Sequence, residues 1–139
     1  MTILDTLTYE YVDDLLFVIH TSPVPTESDW NEMVAFASSR AALRGVLVWS
    51  PGAKPNANMR SDIRELQEKF SCKCAVLTNS SVSKGVMTAL SWFNVPIKGF
   101  SPSELQDALE FVGRPDMLEG AREVLHPYLQ SDVRRASGA

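Results

Sequence analysis

The chain has 139 residues, close to the one-domain prior of about 150, and a chain of this size buries about two-thirds of its unfolded surface in a single core. Hydrophobic residues make up 45% and charged residues 22% of it, ordinary values for a soluble globule. The net charge of −4 argues against nucleic acid as a partner, because a phosphate-gripping domain shows a basic stripe and the only basic cluster is Arg134-Arg135.

Leu7-Thr8-Tyr9-Glu10-Tyr11-Val12 alternates as a strand does, Asp13-Asp14 suits a tight turn, and Leu15 to His20 is a continuous apolar run of a central strand. The two strands predict an antiparallel hairpin, whose outer strand is expected at the sheet edge. Pro23 and Pro25 stop the second strand, and Thr26 caps a helix that places Trp30, Met33, Val34, Ala37 and Ala41 on one face. Gly45 to Trp49 reads as a strand. Asn58 is expected to cap a helix with Met59, Ile63, Leu66 and Phe70 on one face. Ala75 to Thr78 is the next strand. Ser80 or Ser81 opens a third helix with Val82, Val86, Leu90 and Phe93 inward. Ile97 to Phe100 is a short strand.

Ser101-Pro102-Ser103-Glu104 is the strongest local signal. Serine at the cap, proline at the first helical position and glutamate at the third make a capping box. Leu105, Ala108, Leu109 and Val112 follow at helical spacing, and Gly113 stops the helix. Leu118, Ala121, Leu125 and Tyr128 or Leu129 share one face of a last helix. The fold expected is α/β, with a mixed sheet of about five strands and four to five helices. One domain spans residues 1–130, and a flexible tail spans 131–139. Right-handed crossovers put helices where they cover the sheet.

No apolar run approaches the ~20 residues of a membrane span, and MTILDTLTYE lacks the basic-then-apolar order of a signal peptide. The two cysteines, Cys72 and Cys74, are spaced poorly for a disulfide, and only His20 and His126 could join them at a metal. Buried thiols acting as small apolar groups are the better reading. Neither a cofactor nor a metal is expected, and the location expected is cytoplasmic.

The element order, the strand Gly45-Val46-Leu47-Val48-Trp49 running into a loop, and Pro96-Ile97-Lys98-Gly99-Phe100 before a capped helix resemble the STAS domain. More closely they resemble the SpoIIAA-like proteins, small bacterial domains of related fold. The resemblance covers about Leu7 to Gly113 and implies a regulatory domain that works through protein contacts. It also implies a phosphorylatable serine in the loop after that strand, where a helix N-terminus favours phosphate. Here the stretch reads Pro55-Asn56-Ala57-Asn58-Met59, without a hydroxyl, and Ser61 falls inside the helix. The phosphoswitch does not carry over.

Asn79, Ser80 and Ser81 stand where a strand's carboxyl end meets a helix N-terminus, with Lys84 one turn on. Together with Ser50 and Asn56 they are the candidate ligand-binding residues, suited to an anion or small polar molecule. Ser81-Val82-Ser83-Lys84 also has the Ser-x-x-Lys spacing of some acyl-transfer enzymes, but the companion motifs are absent. His20 is read as a structural strand-end histidine, and Trp30, Trp49 and Trp92 as core aromatics. Arg134-Arg135-Ala136-Ser137 looks like a basophilic kinase site, read as a coincidence. The leading expectation is a non-enzymatic regulatory or protein-interaction domain. A carrier of a lipophilic or anionic small molecule comes second, and a serine hydrolase using Ser81 and Lys84 third. The last helix's stripe needs cover, and a symmetric homodimer is favoured over docking on its own sheet.

Overall fold

The computed structural model describes residues 1–22, 24–50, 56–81, 83–85 and 96–137, with side chains through residue 129. Six strands form one sheet in chain order: β1 (Thr2–Ile3), β2 (Leu7–Val12), β3 (Leu15–His20), β4 (Gly45–Trp49), β5 (Lys73–Leu77) and β6 (Ile97–Phe100). Neighbours are antiparallel from β1 to β3 and parallel from β3 to β6. This is the mixed α/β sheet expected, with one strand more. β1 has two residues and so carries no periodicity to read. It corrects the expectation that β2 is the sheet edge, because Thr2 pairs with Tyr9 and Ile3 with Thr8.

The β2–β3 hairpin pairs Val12 with Leu15 and Leu7 with His20. Asp13 and Asp14, at φ 48° and 67°, supply the two positive angles of a type I′ turn, whose twist matches that of the strands. Every residue of β3 is buried because helices cover both faces of the sheet. On one face Leu15, Phe17 and Ile19 pack with Leu47, Trp49, Leu77 and Phe100 beneath the C-terminal helices. On the other, Leu16 and Val18 meet α1 (Glu27–Ser38) and α2 (Ala57–Phe70) through Trp30, Met33 and Leu66.

Thr26 caps α1 by accepting from the Asp29 amide at 3.2 Å. Asp29 in turn accepts from the Thr6 amide at 2.8 Å and the Thr6 hydroxyl at 2.5 Å. Those bonds hold its carboxyl below the usual carboxylate range and lash the first turn of α1 to the β1–β2 link. The cap of α2 is Asn56, accepting from the Met59 amide at 2.9 Å, and not Asn58, which sits inside the first turn. Of the third helix, Ser81 and residues 83–85 are helical. Val82, Val86, Leu90, Trp92 and Phe93 lie outside the described residues, as do residues 51–55 of the loop after β4.

The capping box at Ser101 forms as read, with the Ser101 amide donating to Glu104 Oε1 at 2.8 Å. A 3-10 turn, Pro102–Glu104, leads into α3 (Leu105–Phe111). Gly113 at φ 78° ends it in the left-handed conformation. A second 3-10 turn, Pro115–Met117, opens α4 (Leu118–Ser137). α4 continues past residue 130, where the sequence reading placed the start of a tail. Pro127 lies within it, removing one backbone bond without ending the helix. Ala121 and Leu125 are fully buried on the sheet, and Tyr128 packs on Trp49 with ring centroids 5.3 Å apart. The stripe expected to seek a second subunit is covered within the chain.

Cys72 and Cys74 are free and buried. Burial pushes the Cys74 thiol up to about 12 and raises that of Cys72, so neither is a thiolate at neutral pH.

Candidate functional site

Strands β3 to β6 all end at one edge of the sheet, and in an open parallel sheet the loops leaving that edge form the ligand crevice. The last paired row there is Ile19, Trp49, Leu77 and Phe100. These four pack on the C-terminal helices. The next residue of each strand is therefore turned to the α1–α2 face. Those residues are His20, Ser50, Thr78 and Ser101, a polar row across four strand ends spaced about 4.8 Å apart. His20, Ser50 and Thr78 are 5%, 3% and 0% exposed. The sequence shows the same thing as four apolar runs that each close on a polar residue. Of the four, only Ser50 was a candidate ligand residue from the sequence.

The β5–β6 half of the row is tied up in structural bonds. Thr78 Oγ1 accepts from the Ser80 amide at 3.1 Å, and Ser80 Oγ accepts from the Ser83 amide at 3.1 Å. Ser80, rather than Ser81, thus caps the third helix. Lys84 Nζ donates to Ser101 Oγ at 2.5 Å. A Cβ on Gly99 would come within 3.2 Å of the Lys84 Cα, so glycine lets the turn settle on β6. The Glu104 carboxyl beside them is held below its usual range, first by the Ser101 amide and further by Lys84 and Lys98.

At the β3 end His20 differs. Among the described residues, neither of its ring nitrogens has a hydrogen-bond partner. Burial lowers its pKa to about 4, so the ring is neutral at neutral pH and offers one donor and one acceptor.

Between the first turns of α1 and α2 lies an open cleft of about 270 Å³. Glu27, Trp30, Asn31, Asn56, Asn58, Ser61 and Asp62 line it, with Pro25 and Met59. Trp30 Nε1 donates to Asp62 Oδ2 at 2.8 Å, joining the two helices across it. A separate apolar void of about 40 Å³ lies beneath α2, beside Leu66, Gln67 and Cys74.

Six candidate residues came from the sequence, and of these Asn56 is among the residues that line the α1–α2 cleft. Asn56 lines the cleft and spends its carbonyl on the α2 cap. Ser50, Ser80 and Lys84 lie along the β4–β6 edge. Asn79 and Ser81 are exposed. The hydrogen bond described for Lys84 goes to Ser101, not to the Ser81 of the Ser-x-x-Lys pair. Sequence reasoning missed Glu27, Trp30 and Asp62 as cleft residues, since only the packing of α1 on α2 brings them together.

Among the described residues, no group of three histidine, cysteine or acidic side chains could hold a metal, and no helix is long and apolar enough to cross a membrane. No family model matches the chain, and neither a curated protein nor a solved structure matches it.

Proposed function

We propose that the chain is a non-enzymatic regulatory or interaction domain of STAS-like fold, working by binding at the carboxyl edge of its parallel strands. The observation that carries this reading is the α1–α2 cleft, a polar depression on the ligand side of the sheet. Its one hydroxyl, Ser61, has no hydrogen-bonded base among the described residues. Asn56 beside it is used as a cap, which positions a helix end and does not activate a nucleophile. Serine hydrolysis through Ser81 and Lys84 draws no support from the Lys84–Ser101 bond. A lipophilic carrier draws none from the apolar void, whose 40 Å³ is far below the roughly 300 Å³ where small-molecule pockets begin.

Native mass spectrometry of the chain purified from its own host tests the reading. A bound protein or small molecule is expected. A chain that runs bare and instead cleaves ester probes, with Ser81 labelled by a fluorophosphonate, would reverse it.

A further inference from the structure

The void beneath α2 gathers both cysteines of the chain. Local structure explains how. Ser71, which ends α2, sits at φ 52° in the left-handed conformation, and this reverses the chain at the helix end. Cys72 is thereby turned back under α2, where its Sγ donates to the Leu66 carbonyl at 3.9 Å. Cys74 lies two residues on and packs with Val76 against Ile63 of α2. Both residues are 3% exposed, and they are near enough that a charge on Cys72 opposes ionisation of Cys74.

A third donor lines the same void. Gln67 is 6% exposed. Its Nε2 donates to the Pro96 carbonyl at 2.8 Å, which fixes the side chain. Among the described residues its Oε1 has no hydrogen-bond partner. A buried carbonyl left without a donor calls for a reason, and a cation supplies one. The Met33 thioether lines the void as well.

Size and charge then narrow the occupant. About 40 Å³ exceeds the roughly 10–15 Å³ that one water-sized body requires, so a single ion fits where an organic ligand does not. Thiolates and thioethers select soft cations. Zinc takes four ligands from cysteine, histidine and carboxylate, and of that kind the described lining supplies two. Calcium and magnesium ask for shells of oxygen. The rest of the lining is aliphatic or aromatic, where a net charge is costly. Two thiolates and a divalent cation sum to zero, whereas a monovalent cation would leave one negative charge.

We propose that Cys72 and Cys74 bind a soft divalent cation of the mercuric type in this void as a neutral bis-thiolate, with the Gln67 carbonyl as a third, weaker donor. On binding, both S–H bonds break, each sulfur bonds the metal, and two protons leave to solvent. No electron is transferred. This site stands apart from the binding role proposed above, and neither depends on the other.

The test gives the reduced full chain one equivalent of mercuric chloride in an excess of glutathione, a competing single thiol. Native mass spectrometry reads the composition. One mercury per chain is expected, at a mass two protons below simple addition, with no glutathione attached and a raised melting temperature. Cys72→Ala and Cys74→Ala each leave one thiol, and should lose the ion or carry it only as a mixed glutathione adduct. Gln67→Leu keeps both thiols and should weaken retention about tenfold. Glutathione adducts on the natural chain would show two independent thiols and overturn the proposal. So would equal retention by Cys74→Ala, or uptake only with loss of the circular dichroism of the fold. Equal retention by Gln67→Leu would overturn the part given to the amide. Copper(I) and zinc are titrated alongside, and preference for either over mercury would overturn the choice of ion.

Discussion

His20 is the side chain whose chemistry is least legible in the sequence. LLFVIH shows a polar residue closing an apolar strand, but whether its nitrogens find partners depends on residues far away in the chain. The fold buries it, and among the described residues neither nitrogen is paired. That has a pH consequence. The folded pKa of about 4 lies below the ordinary 6.5, so on acidification the unfolded chain takes the proton first. Above 6.5 both states are neutral and His20 adds no slope. Between 6.5 and 4 the unfolded state binds more protons, so stability falls as pH falls, by about 3 kcal/mol at most. Below 4 the loss is complete. His20→Leu should flatten this limb and be more stable than the natural chain at pH 4, as urea titrations across that window would show. An undiminished acid slope in His20→Leu would assign the slope to the carboxylates. The cysteines illustrate the legible extreme. Their spacing, poor for a disulfide and short of further metal ligands, already pointed to buried thiols, and Cys72 and Cys74 are free and buried.

Helix caps show how local chemistry predicts an element's existence better than its boundary. Thr26 and Ser101 were readable because a proline marks each helix start, Pro25 before Thr26 and Pro102 after Ser101, and Ser101 has Glu104 three residues on. Before α2 two asparagines compete, Asn56 and Asn58. The sequence alone suggested the second, Asn58, ahead of the inward face that begins at Met59. In the structure Asn56 has extended backbone and accepts from the Met59 amide. Asn56→Ala should therefore cost about 1 kcal/mol and Asn58→Ala only a few tenths. Chemical denaturation of both variants checks this, and equal losses would mean that the α2 start is misplaced by a turn. The same competition placed the third helix's cap at Ser80 rather than Ser81. β1 was invisible for a different reason. Two residues pair with β2 because the Thr6–Asp29 and Leu4–Leu7 bonds hold the segment in place, and no short-range pattern encodes that.

At the scale of the whole molecule, the order of strands and helices was legible because each apolar run ends on a breaker or a cap. What covers the sheet's second face was not, because an amphipathic stripe states that it needs burial without saying against what. α4 meets that need within the chain. Leu125 and Ala121 are fully buried among Leu15, Phe17 and Leu47, and Met117 is 7% exposed. Arg114, 9% exposed, donates to the Asp13 carbonyl in the hairpin turn and makes two bonds to Asp116, at 3.1 and 3.0 Å. It thus ties the start of the C-terminal segment to the opposite end of the chain. A chain ending at Gly113 loses this tie and uncovers an apolar face. Each large buried side chain is worth about 1.5–3 kcal/mol, so losing Met117, Leu125 and their neighbours removes a sum comparable to the 5–15 kcal/mol that holds a typical domain folded. The truncated chain should be largely unfolded or aggregated, by circular dichroism and sedimentation, and not a folded core. Leu125→Ala tests the same packing in the full chain and should cost about 3 kcal/mol. A chain ending at Gly113 that sediments as a folded monomer with an unchanged melting temperature would show that α4 is an appendage, and that its docking contributes nothing to the core.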